Sequence, residues 1–320
     1  MSGIVAVLVA VSLLSFSDAL VKLSGDSFGL AQLILLRSAV AAILLAIWLL
    51  PLFGLSGLRL VRPGWVWARS LCLSAMWLSY YSALPYMSFA LAAACYYTAP
   101  AWMALLSRVL LGMKIGGRGW SAIALSLAGV LLVVSPSPDS VTPVLLLPLT
   151  AAAFYALAGI ITWSKCQADS PSAMAFTLNI CLCVVSGLGL LVLSFHQPTD
   201  TESFVLSTWP RLTRGDWSLV ILLGALLAVI ATAVAMAYRL APTPVVGVFD
   251  TAYLGAAAIW GVLFFGEVPS VTEGLGMVLI AGGAALMSVR QRSKFSMSFR
   301  YTREAAPRLP AGRPTSHFTR

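Results

Sequence analysis

Charge is what this sequence has least of. Lys, Arg, Asp and Glu fill only 10% of its 320 positions, against a hydrophobic share of 60%. A soluble domain carries roughly 25% charged residues, so a water-facing surface cannot be built from this chain and most of its surface must face lipid. Histidine occurs twice, as His196 and His317, in a connection and near the C-terminal end. No HExxH pair, Walker loop or GxSxG turn occurs. These enzyme signatures are therefore missing, and no metal or cofactor is expected. Cysteine is sparse too. Cys72, Cys95, Cys166, Cys181 and Cys183 lie mostly inside apolar runs and read as small packing residues. Cys181 and Cys183 point about 200° apart on a helix, which disfavours a shared metal. Acidic residues number 11 against 20 basic ones. The excess does not form a nucleic-acid surface, because eight basic residues lie between Arg290 and Arg320 and most others sit in short connections.

Apolar runs are what the sequence has in abundance. About 20 apolar residues cross the hydrocarbon core as a helix, and lipid offers no partner for backbone N–H and C=O groups, so the spans must be helical. Ten segments qualify, near Gly3–Leu23, Gly29–Leu52, Gly64–Leu84, Ser88–Leu111, Gly119–Ser135, Val144–Trp163, Ala173–Phe195, Trp217–Tyr238, Thr243–Phe265 and Val271–Val289. Met1–Leu14 lacks the basic start and cleavage site of a signal peptide, and its run continues to Leu23, so it reads as an uncleaved first span. With the N-terminus inside, Arg59, Arg62, Arg69, Arg108, Lys114, Arg118, Lys165, Arg239 and the eight tail residues are cytoplasmic, which is 16 of the 20. Arg211 and Arg214 are outside; Lys22 and Arg37 lie at or within helices. The expected location is the inner membrane, multi-pass, with both termini cytoplasmic. The basic, Pro-containing tail 291–320 reads as disordered and attracted to anionic lipid.

The halves repeat. An offset of 154 pairs Leu110-Leu111-Gly112 with Phe264-Phe265-Gly266, and Gly129 with Gly283. Five crossings are an odd number, so the second copy enters the membrane the other way up. The fold class is therefore all-α integral membrane, with ten transmembrane helices as two inverted five-helix repeats, 1–138 and 139–290. Ala122 with Ser126 and Ala281 with Ala285 suit close helix packing, within the protomer or in a homodimer.

Buried charge marks the candidate site, because charge in lipid is expensive. Asp18 and Lys22 share a face of the first span, and Arg37 lies about two turns into the second. These three read either as a charged group at the outer mouth of a cavity or as a structural ion-pair cluster. Asp250 lies about eight residues into the ninth span, with Tyr253, Ala257 and Trp260 on roughly one face. It reads as a partner for a cationic group or a proton carrier, the alternative being a hydrogen-bonded structural residue. Arg239 can approach it from the inner end. Trp77, Tyr80, Tyr81, Tyr96, Tyr97 and Tyr155 supply apolar faces, cation–π contact and hydroxyls. Trp77, Tyr81, Tyr97, Tyr155 and Tyr253 join Asp250 as candidate substrate contacts. Pro100, inside the fourth span, removes the bond to the carbonyl of Tyr96. Glu267 and Glu273 lie at the outer turn and read as structural.

Ala237-Tyr238-Arg239-Leu240-Ala241-Pro242, then Asp250, then Gly266-Glu267-Val268-Pro269-Ser270 resemble the drug/metabolite transporter superfamily, specifically its EamA-type members. The motif is a Y-R-x-A-P turn, a mid-helix acid and a G-E-x-P-S turn. Asp18-Ala19-Leu20-Val21-Lys22 and Arg37 are similar to one branch. The resemblance covers about residues 1–290. Gly112-Met113-Lys114 departs from Gly-Glu in the first repeat, and Thr251 replaces an expected tyrosine. The resemblance implies a central cavity and alternating access without ATP. It also implies a small organic metabolite as substrate, amino-acid-like or otherwise cationic or zwitterionic; similar members take up riboflavin or S-adenosylmethionine. The competing classes are a membrane scaffold or sensor, which needs an output domain the short tail does not supply, and an intramembrane enzyme. The loop charges predict that a C-terminal reporter is active only on the cytoplasmic side. Activity on the outer side refutes this topology.

Overall fold

Every described element is helical, as a chain in lipid requires when its backbone must be satisfied internally. The computed structural model describes residues 2–25, 27–112, 115–134, 142–196, 204–240 and 249–286. The helices are α1 (Ser2–Leu23), α2 (Leu30–Phe53), α3 (Pro63–Ala83), α4 (Phe89–Tyr96), α5 (Ala99–Leu111), α6 (Gly117–Val134), α7 (Leu146–Lys165), α8 (Pro171–His196), α9 (Arg214–Leu240), α10 (Ala252–Phe265) and α11 (Val271–Leu286). Among the described residues, six stretches are long and apolar enough to cross a membrane: Val5–Leu23, Leu30–Leu52, Phe89–Leu111, Gly117–Val134, Pro143–Thr162 and Pro171–Phe195. The protein is a multi-pass membrane protein. Ile47, Val109, Leu131, Val192, Phe195 and Val278 point outward, as lipid-facing side chains do. Lys114, the side chain of Arg239 and the tail 291–320 lie outside the described residues.

The expected fourth span is two helices. Tyr97 and Thr98 separate α4 from α5, and Pro100 stands in the first turn of α5. A proline there gives up an N–H that has no intrahelical partner anyway. The main chain therefore resets before Pro100 instead of bending around it. The Tyr97 amide donates to Ala93 O at 2.9 Å, and the Thr98 hydroxyl donates to Cys95 O at 2.7 Å. At the equivalent place 154 residues later, α10 starts after Thr251. Both α5 and α10 end on a glycine in the left-handed region, Gly112 at φ 64° and Gly266 at φ 66°, where glycine carries no Cβ penalty.

Helix packing follows a paired pattern. α3 packs on α7 and α9 on α1; α3 packs on α8 and α9 on α2; α5 packs on α7 and α10 on α1; and α2 packs on α8. Exchanging α1 with α7, α2 with α8, α3 with α9 and α5 with α10 carries each contact onto another. The α6–α11 crossing obeys the same exchange at the 154 offset. A Cβ on Gly129 would stand 2.6 Å from Gly276 O and 2.8 Å from Ile280 Cγ1, and a Cβ on Gly283 would collide with Ala122 O and Ser126 Oγ. Gly276 and Gly283 on α11 meet Gly129, Ala122 and Ser126 on α6, so Ala122 and Ser126 do pack closely on α11, and glycine is what lets the backbones approach this far. Meanwhile α1, α2 and α3 touch one another little or not at all, which leaves the middle of the bundle to long side chains. Gly129→Ala is expected to destabilise the protein by about 1–3 kcal/mol through overpacking. Gly255→Ala, where an added Cβ meets nothing within 4 Å, stays within about 0.5 kcal/mol of the parent. Unfolding midpoints in one detergent check the pair.

Candidate functional site

Asp18 lies within α1 and is 3% exposed. A buried carboxyl group needs hydrogen-bond donors, and two tyrosines supply them. The Tyr81 hydroxyl, from α3, donates to Oδ1 at 2.8 Å; the Tyr253 hydroxyl, from α10, donates to Oδ2 at 2.6 Å. Arg37, from α2, donates from Nη1 to the Tyr81 oxygen at 2.5 Å. Its guanidinium also lies against the rings of Trp77 and Tyr81, 4.9 and 4.7 Å from their centroids, within cation–π range. Tyr80 and Tyr253 share a hydroxyl contact at 3.3 Å. One polar chain thus joins α2, α3, α1 and α10.

A belt of rings continues from it. Trp77 meets Tyr81 at 5.1 Å between centroids, Tyr80 meets Tyr96 at 5.3 Å, Tyr96 meets Tyr97 at 5.5 Å and Tyr155 at 5.5 Å, and Tyr97 meets Tyr253 at 5.3 Å. Tyr80, Tyr96, Tyr97 and Tyr253 close a circuit of four rings, and the break between α4 and α5 is what places Tyr97 in it. Asp250 is attached at this point. Its main-chain oxygen and Oδ2 accept from the Tyr97 hydroxyl at 3.1 and 3.4 Å, and the residue is half-buried.

The structure therefore brings Asp250, Tyr253, Trp77, Tyr81, Tyr97 and Tyr155 into one connected network. It adds Tyr80 and Tyr96 as links. Trp260 is turned away from the belt: it stacks on Phe264 at 5.4 Å and leans on Phe16 of α1 at 5.0 Å.

The three-residue charged group is divided. Arg37 reaches Asp18 through Tyr81, whereas Lys22 pairs with Glu267 at 2.6 Å. Lys22 also donates to Met87 O at 2.9 Å and lies 4.6 Å from the Phe265 centroid. The second oxygen of Glu267 accepts the Phe89 amide at 2.8 Å, at the N-terminus of α4, where the exposed N–H groups favour a negative charge. Glu267 thus ties three parts of the chain together at one end of the bundle. Its partner lies 245 residues away, and no local spacing reports it. Asp169 was also invisible as an anchor. It is buried in the α7–α8 connection and accepts the Val61 amide at 2.6 Å.

Tyr81→Phe and Tyr253→Phe each remove one donor from a buried carboxyl group. Each is expected to cost about 1–3 kcal/mol. The double variant should depart from additivity, because both act on Asp18. Unfolding of the two single variants and the double variant in detergent checks this, and strict additivity with small effects refutes a shared hub.

Residues 1–135 match the sequence model of the EamA-like transporter family. A riboflavin transporter of Rhizobium johnstonii is 27% identical over 251 residues, 77% of this chain and 77% of that protein. A riboflavin transporter of Vibrio cholerae serotype O1 is 28% identical over 199 residues, 62% of this chain and 61% of that protein. One of Brucella anthropi is 27% identical over 203 residues, 61% of this chain and 66% of that protein. A protein of known crystal structure, 21% identical, superposes with a TM-score of 0.63 over 91% of this chain and 99% of the other, a likeness of fold alone.

Proposed function

We propose, for a chain that carries the EamA-like transporter family over residues 1–135 and is a transporter of a small metabolite rather than an enzyme, that it moves a flat, ring-bearing metabolite of the riboflavin kind by alternating access. The observation that carries this reading is the ring belt around Asp18 and Asp250. It offers aromatic faces and hydroxyls where side chains bridge α1, α2 and α3, and a planar ring system has matching faces to stack. The names of the relatives favour the same class. A second reading, an amino-acid-like cation or zwitterion, is favoured by the half-buried Asp250 carboxyl group.

The paired packing supports two inverted five-helix repeats, 1–138 and 139–290, and the distribution of basic residues supports ten spans with both termini on the cytoplasmic side of the inner membrane. The Lys22–Glu267 pair is the natural closure at the outer end. In the exchange of halves, Glu267 corresponds to position 113, which is methionine, and the end of α1 corresponds to the end of α7, where Lys165 rests on the Trp65 ring at 5.3 Å. Among the described residues, the lock is thus built at one end only. Opening outward requires the ion pair to part, and opening inward does not.

Riboflavin and amino-acid uptake into reconstituted vesicles, with and without the protein, tests the reading. Protein-dependent entry of riboflavin is expected; entry of amino acids alone supports the second reading and defeats the first. Asp250→Asn is expected to lower accumulation at least tenfold, and unchanged accumulation makes Asp250 structural. Glu267→Gln is expected to change the outward-opening rate, and Lys22→Glu combined with Glu267→Lys to restore it partly.

A further inference from the structure

Arg37 is 1% exposed and touches no carboxylate directly; among the described residues the one ion pair is Lys22–Glu267. Its Nη1 is used by the Tyr81 hydroxyl. Its Nε and Nη2 are buried and have no hydrogen-bond partner. Buried guanidinium N–H groups left unpaired are costly, and each such group calls for an explanation.

The identity of the two free nitrogens is informative. Nε and Nη2 form one edge of the guanidinium plane, and their N–H bonds point the same way. That edge is the fork by which arginine holds two acceptors lying in one plane. The other side of the group is already engaged, and the Trp77 and Tyr81 rings lie against it, so the plane is held in place. Arg37 also spans two helices that hardly pack on each other. At Gly224, α9 presses on the α2 backbone so closely that a Cβ would lie 3.0 Å from Arg37 O. On the other side α2 barely packs on α3, and the Arg37 side chain bridges the gap to Trp77 and Tyr81.

From this we infer that the Nε–Nη2 edge of Arg37 is a substrate subsite that receives two coplanar acceptors of the transported molecule. Two sources share that chemistry: a ring edge with a carbonyl oxygen beside a ring nitrogen, as in a flavin, and a carboxylate. The ring-edge form rests on the flavin reading above; the carboxylate form does not. In the ring-edge form the ring system lies in the belt and its acceptor edge meets Arg37, so the arginine fixes which edge of the ring faces α2.

The test uses the full-length protein, with riboflavin fluorescence as the binding readout and benzoate as the carboxylate probe, followed by calorimetry. Arg37→Lys keeps the positive charge and loses the fork. Riboflavin affinity is expected to fall about tenfold or more in this variant, with its unfolding midpoint recorded alongside. The wild-type protein supplies an arm that needs no variant. In 1-deazariboflavin and 5-deazariboflavin a ring nitrogen is replaced by C–H, and the analogue that loses the nitrogen seated on Arg37 is expected to bind about tenfold more weakly than riboflavin. If wild-type protein ignores riboflavin but binds benzoate in an Arg37-dependent way, the subsite stands and the flavin reading falls. If riboflavin and both analogues bind wild-type protein equally, or if Arg37→Lys binds the bound probe as tightly as wild type does, the subsite is overturned. Failure of both riboflavin and benzoate to bind the wild-type protein overturns it as well.

Discussion

A single buried carboxyl group joins the two halves of the chain at the centre of the bundle. Asp18 accepts hydroxyls from Tyr81 in the first half and Tyr253 in the second. In a medium without water each oxygen needs a donor, and the donors must come from helices that do not pack on one another directly. The rest of the interior follows from that need. Tyr81 is oriented by Arg37, Tyr253 by Tyr80 and Tyr97, and Tyr97 by the interruption between α4 and α5 that ends one helix before Pro100. The centre is polar and aromatic because long side chains, and not close backbones, span it.

The periphery is built the opposite way. Where α6 crosses α11, Gly129, Gly276 and Gly283 remove side chains so that backbones meet. The hydrophobic effect does not drive helices together in lipid, so close van der Waals contact must do so. The two regimes divide the work. Glycine-lined crossings hold the outer helices by backbone contact, while side chains bridge the middle. Among the described residues the one ion pair, Lys22 with Glu267, lies at one end of the bundle.

Much of this was legible in the residues. Long apolar runs identify helices because hydropathy is a property of consecutive positions, and helical residues fall in each expected segment. The matching helix ends at Gly112 and Gly266 were visible because a left-handed helix end selects glycine. The aromatic candidates were visible because tyrosine and tryptophan clusters stand out in apolar helices. The interruption of the fourth segment was half visible: Pro100 announced a disturbance, but whether a helix bends or restarts depends on what surrounds the freed groups.

The sequence by itself determined the solvent, the helical class and the short set of interior residues able to carry polar chemistry. The tertiary structure decided who pairs with whom. Lys22 and Asp18 share a helix face, yet Lys22 is held by Glu267, while Asp18 is held by tyrosines 63 and 235 positions away. Burial is a cost that each residue carries alone and can be read along the chain. Relief of that cost is a contact between distant residues, and only the packing of the helices brings them within hydrogen-bonding distance.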